Sequence, residues 1–393
     1  MSGILKKEFR LLYSSKEQSQ NGKRITYLDM VRGIAIFLVV AGHSGLIGPE
    51  WNIWLSTFHL PAFFFVSGML MQVKKEDRQG FVKTLKHKII GIMVPYFWFS
   101  FGSLLVDLLQ VLRGSFTFDI MKAHFIQTIT LQGYSVLWFL PVLFLAELLM
   151  LLLFKVIRII RVKEKYCSLT AFICCVVFAV AAYYSYCNVV TVHLSGFAVE
   201  EIRILMKAVI ATGFIAGGHY AGYCFSALEK RNKKKAKKKG LKGFLAKFSI
   251  VGILVGFCFA VINLSVVPYI QLMDFNNINI GNPLLYLVLG TTGTLGILLI
   301  CRSIPNIPLI TFYGQNSLII MCTHLNFYVL NAGMIIGRDV FVPLPGPDGL
   351  QFMISSLICA MILEIPVILI IRICFPFVLG RKHTKLSAVR KKT

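Results

Sequence analysis

Residues 28–44 read LDMVRGIAIFLVVAGHS, and this stretch decides the class of fold. Its middle is an unbroken apolar run suited to a membrane-crossing helix, which needs about 20 mostly apolar residues. Yet it keeps Asp29, Arg32 and His43. An ionisable side chain at mid-bilayer costs about 2.5–3.5 kcal/mol on insertion scales, so it is kept where it faces a cavity or a partner. Projected at about 100° per residue, the three share one stripe about 60° wide. Ile34, Ile36, Phe37, Leu38 and Val40 make up the rest of the surface and suit lipid and packing. Asp29 and Arg32, at i and i+3, can also pair. The helix therefore gathers its polar residues on one inward face.

The same apolar character recurs along the chain. Of its 393 residues 56% are hydrophobic and 15% charged, with a mean hydropathy of +0.74. A globular core cannot hold that much apolar surface, whereas repeated runs of about 20 apolar residues make an all-α polytopic membrane bundle. The pattern predicts ten spans, near 29–47, 51–72, 89–112, 136–154, 167–187, 204–227, 248–267, 283–301, 309–331 and 349–371. Turn chemistry such as Gly48-Pro49-Glu50 and Gly346-Pro347-Asp348 separates them. Residues 113–135 form a longer connection expected to lie along the interface.

With the N-terminus inside, 35 of the 41 Lys and Arg residues fall on the inner side and five on the outer, Arg32 being within the first span. The positive-inside rule then puts both termini in the cytoplasm of a multi-pass cell-membrane protein. A basic tail at 1–24 precedes a transmembrane domain at 25–375, which carries a basic cytoplasmic loop at 228–247. A second basic tail follows at 376–393. The net charge of +24 is read as contact with anionic lipid on the cytoplasmic face. No segment is long enough for a soluble nucleic-acid module, so nucleic acid is excluded as a partner. The N-terminal tail lacks a cleavable hydrophobic region, so the first helix is expected to stay as an anchor.

The ten cysteines lie mostly in apolar runs and read as small buried hydrophobes. No C-x-x-C pair or H-E-x-x-H is present, so no metal is expected. There is no G-x-S-x-G elbow or phosphate loop either. What remains is a set of histidines at related depths. His43 lies about 16 Å beyond Arg32, His59 about 12 Å into the second span, and His324 about 22 Å along the ninth. Glu147 sits about 16 Å down the fourth span. Three histidines and a carboxylate can converge in the middle-to-outer zone, where an imidazole suits proton abstraction near neutral pH. Asp107 and Glu364 are weaker candidates near helix ends, with Arg372 a possible partner of Glu364. His87, His124, His193, His219 and His383 fall in loops, helix ends or the tail and carry no functional reading.

YLDMVRGIAIFLVVAGHS at 27–44 resembles the first-helix signature of the membrane-bound acyltransferase-3 family, reproduced by Arg32, ten intervening residues and His43. FHLPAFFFVSGML (58–70) resembles the fucose 4-O-acetylase-like branch of sugar O-acetylases, and LWFLPVLF (137–144) and FYGQNSLIIMCTHLNFY (312–328) are similar to later helices of the family. The resemblance implies transfer of an acyl group, by default acetyl, from cytoplasmic acyl-CoA to a hydroxyl of an extracytoplasmic or lipid-linked glycan. No permanently bound cofactor is implied; acyl-CoA is the donor substrate. His43 takes the role of catalytic base or acyl-transfer residue, with His59, His324 and Glu147 as further catalytic candidates. Asp29, Arg32, Lys86, Lys88, Trp138, Asn316 and Ser317 are the candidates for holding donor or substrate.

Two departures stand out. KTLKHK (83–88) offers Lys83, Lys86 and Lys88 where the family often has an arginine pair, and Glu147 lies nine residues after Trp138 rather than five. Transfer can be direct or can pass through an acyl-histidine. A transporter or flippase for a glycan or lipid-linked sugar would also line its path with polar residues, but the two halves show no internal repeat.

Overall fold

A computed structural model describes residues 25–239, 249–341 and 349–381, without the side chains of 230–239, 340, 341 and 350. The tail 1–24, the end of the basic loop at 240–248, the Gly346-Pro347-Asp348 turn and the tail 382–393 with His383 lie outside the described residues. The described chain is helical apart from an isolated bridge between Asp274 and Asn279. Its helices are α1 (Thr26–His43), α2 (Pro49–Val73), α3 (Phe81–Leu112), α4 (Phe118–Ile129) and α5 (Ser135–Ile159). There follow α6 (Glu164–His193), α7 (Phe197–Lys239), α8 (Ile250–Ser265) and α9 (Pro283–Ser303). α10 (Pro308–Gln315), α11 (Ser317–Thr323), α12 (Val329–Phe341) and α13 (Leu350–Cys374) complete the order.

The bundle is built for lipid. Exposed apolar residues recur at helical spacing, as Phe101, Leu105 and Leu109 on α3 and Ile354, Ile358 and Ile362 on α13. Polar groups turn inward: Asn263 is fully buried and bridges the Thr57 hydroxyl and the Leu289 carbonyl. Such polarity belongs inside because hydrocarbon satisfies no backbone or side-chain hydrogen bond. Lipid tails also offer no hydrophobic drive between helices, so small residues at crossings bring helices into van der Waals contact. α2 and α7 meet in this way, with Gly68 against the Ile215 carbonyl and Gly218 against the Phe65 carbonyl.

Eight of the described helical segments are long and apolar enough to cross a membrane. The predicted spans at 204–227 and 309–331 are not among them. The first lies within α7, which runs on through the predicted basic loop to Lys239. The second is broken into α10, α11 and α12 instead of forming one helix. Asn316 interrupts it at φ −114 and ψ 11, its amide donating back to the Phe312 carbonyl. Tyr328 breaks it again in the left-handed region at φ 57. Irregular backbone at membrane depth is tolerated where protein or a cavity surrounds it. The 113–135 connection is not featureless: it contains α4, whose Thr128 carbonyl accepts from Tyr96 of α3 at 2.8 Å.

α10 packs hardest against the first half of α1. Gly33 faces the backbone of Ile310, and Gly314 faces the backbone of Asp29 and Gly33, so the two helices touch without intervening side chains. This crossing sets the position of the first-helix polar stripe.

Candidate active site

His43 occupies the last turn of α1, where the Ser44 hydroxyl closes the helix onto the Ala41 carbonyl at 2.7 Å. Across the bundle, His324 immediately follows α11 and places its Nε2 3.2 Å from His43 Nδ1. The ring centroids are 5.1 Å apart and tilted by 38°. His324 is 1% exposed, whereas His43 is exposed. His43 therefore borders open space and His324 backs it.

The hydrogen-bond network assigns the protons. His324 Nδ1 lies 2.8 Å from the Ile320 carbonyl, which only accepts, so Nδ1 carries the hydrogen. In the neutral ring Nε2 is then an acceptor, and the facing His43 Nδ1 must be its donor. His43 Nε2 is left as the unprotonated nitrogen, the form a general base needs. His59 stands close enough to His43 for electrostatic coupling, and its Nδ1 is tied to the Leu55 carbonyl at 2.5 Å. The structure thus brings His43 and His324 together, and His59 is held by its own helix.

The other candidates fall into separate groups. Asp29 is buried under α10. Arg32, one turn along, is partly buried on the same half of α1. Asn316, buried at the α10–α11 break beside buried Ser317, accepts from Arg372 of α13 at 3.2 Å. Glu147 joins neither group. Its carboxylate accepts from the Ser67 hydroxyl and pairs with Lys88 at 3.1 Å. Lys88 also pairs with Glu76 at 2.7 Å, so two carboxylates hold its ammonium; Lys86 is exposed. Trp138 is buried in the turn that opens α5, with the Lys207 ammonium 4.6 Å from its ring. Lys207 also donates to Asn276 at 2.9 Å.

Beside Lys88 lies a second ion pair, between Asp77 and Arg158 at 3.0 Å. Burial alone would raise the Asp77 carboxyl, but His219, Arg158 and Arg78 outweigh it and hold the group below its ordinary value. Glu364, 1% exposed on α13, meets the Thr323 hydroxyl at 2.9 and 3.0 Å and so braces the residue before His324. Sequence reasoning offered Arg372 as its partner; the structure shows Arg372 donating to Asn316.

Sequence reasoning also passed over His124, which forms a dyad with buried Asp107 at 2.9 Å. Only the intramembrane placement of Asp107 hinted at it, since 17 residues separate the two and no local motif does so.

Among the described residues no group of His, Cys, Asp and Glu could hold a metal ion. The family described as "Acyltransferase domain" matches residues 25–380. No curated protein and no solved structure matches at a significant level.

Proposed function

This chain belongs to the acyltransferase-3 family of membrane acyltransferases, and from that premise we propose that His43 is the base that activates its acceptor hydroxyl. The donor in this reading is cytoplasmic acyl-CoA, acetyl-CoA first. The acceptor is a hydroxyl of an extracytoplasmic or lipid-linked glycan. The chain sits in the cell membrane with both termini in the cytoplasm, as its lysines and arginines favour.

The observation that carries the reading is the His43–His324 pair. With Nδ1 engaged by His324, His43 Nε2 takes the acceptor proton as the acceptor oxygen attacks the thioester carbonyl. The tetrahedral adduct collapses, the carbon–sulfur bond breaks, and the proton on Nε2 passes to the leaving thiolate. His324 keeps His43 in the productive tautomer throughout, because its Nε2 accepts from Nδ1 whether or not His43 is charged. Arg32 and Arg372, at the opposite end of the polar stripe from His43, are the cations for the anionic part of the donor.

General acid–base catalysis is worth about 10²–10⁴-fold. His43→Ala is therefore expected to lose at least about 100-fold in acetyl-CoA-dependent transfer while still inserting and folding. Glycan mass spectrometry of cells with and without the gene, and with His43→Ala, reads both the acyl group and its acceptor. Normal acylation by the variant would overturn the assignment.

A further inference from the structure

α3 presents a buried polar stripe, Ser100, Ser103 and Asp107, towards the bundle, while Phe101, Leu105, Leu108 and Leu109 face outward. Spacing of three and four residues puts the stripe on one face. Opposite it, α4 supplies His124, whose Nδ1 lies 2.9 Å from Asp107 Oδ2. Tyr134 stacks on the His124 ring, centroids 3.9 Å apart and planes within 5°. Its hydroxyl approaches Asp107 Oδ1 at 3.5 Å. Ser103 accepts from Asn326 Nδ2 at 3.2 Å. Asn326 stands two residues beyond His324. The polar stripe of α3 therefore reaches, through Ser103, the segment that carries His324.

Two of these groups have acceptor capacity left over. Asn326 is 6% exposed, and its Oδ1 is buried without a partner. A buried polar atom left unpaired costs about 1–3 kcal/mol, a sign of a partner that arrives from outside. His124 donates Nδ1–H to Asp107, which leaves an Nε2 lone pair on a ring whose side chain is 22% exposed. Both atoms take hydroxyl hydrogens, and neither suits an anion.

We infer that Asp107, His124, Tyr134 and Asn326 form an acceptor subsite that binds a polyhydroxylated molecule through its hydroxyl groups. Asp107 and Tyr134 hold the imidazole in its tautomer and plane; His124 Nε2 and Asn326 Oδ1 receive the hydroxyls. The subsite steers one hydroxyl towards His43 and takes no part in breaking the thioester. The assignment rests on the acyl-transfer reading above.

The test uses the full chain in lipid nanodiscs, with acetyl-CoA as donor and n-decyl-β-D-maltoside as hydroxyl probe, following the CoA thiol released. His124→Ala and Asn326→Ala are each expected to raise the KM for maltoside about tenfold, the worth of one good hydrogen bond. The KM for acetyl-CoA should stay within about twofold, and His124→Gln, which keeps an amide acceptor, should recover part of the loss. Phe125→Ala, on the exposed face of α4, controls for damage to the helix. Wild-type maltoside KM in both alanine variants, or a loss that falls equally on acetyl-CoA, overturns the subsite. So does the absence of saturable stimulation by maltoside in a protein whose thiol release still requires His43. Undiminished thiol release by His43→Ala instead overturns the acyl-transfer reading on which the subsite rests.

Discussion

Gly314→Ala tests whether the crossing of α1 and α10 sets the catalytic geometry. An added Cβ would overlap the Asp29 carbonyl oxygen and lie 2.7 Å from its carbon and 2.8 Å from the Gly33 nitrogen. All three are backbone atoms, so no rotamer relieves the clash. Separating the overlapped Asp29 oxygen to ordinary contact near 3.5 Å moves the helices apart by about 1.8 Å. Carried along α1 as a rigid body, that shift opens the 3.2 Å His43–His324 hydrogen bond to about 5 Å, beyond hydrogen-bond range. Overpacking of this kind costs about 1–3 kcal/mol of stability. A misplacement of about 1 Å costs on the order of 100-fold in rate. Thiol release from acetyl-CoA and Tm, measured on the detergent-purified variant, should therefore both fall. Gly91→Ala is the control, because a Cβ there meets nothing within 4 Å. If Gly314→Ala retained activity within about threefold of wild type, well short of that loss, and melted with it, the crossing could not be what positions His43.

His324→Ala should cost about 10–100-fold in kcat with little change in the KM for acetyl-CoA, because it removes the group that fixes the base rather than the base itself. The double variant with His43→Ala should be no slower than His43→Ala alone; additive losses would refute the shared role. The Asp77 carboxyl titrates below its ordinary value because His219, Arg158 and Arg78 outweigh the effect of burial. A depressed acid contributes stability that is present above its unfolded pKa and lost as pH falls through the folded one, so the contribution begins to fall near about pH 4 and is gone only below the folded pKa. Tm measured from about pH 7 down to about pH 2.5 should fall more steeply for wild type than for Asp77→Asn, and parallel curves would contradict the linkage.

The membrane bundle was legible because hydrocarbon imposes a length and a composition on each span, and both are local properties of a chain. The inward stripe of α1 was legible too, since Asp29, Arg32 and His43 lie within one helix whose geometry is known. Depth counting even placed His43, His59 and His324 in the same zone. What local pattern could not supply was which groups touch. At the break, Asn316 accepts from Arg372, which is 56 residues away. Glu147 looked like a partner for the histidines at its depth, but rotation about the α5 axis turns it to Lys88 and Ser67. His124 read as a residue of an interfacial connection until α4 folded back and brought it to Asp107. The sequence by itself determined the solvent of each helix face and the axial height of each polar group. Only the tertiary structure decided azimuth and neighbour, because those follow from how helices pack at Gly33, Gly68, Gly218 and Gly314, where contact is set by residues far apart in the chain.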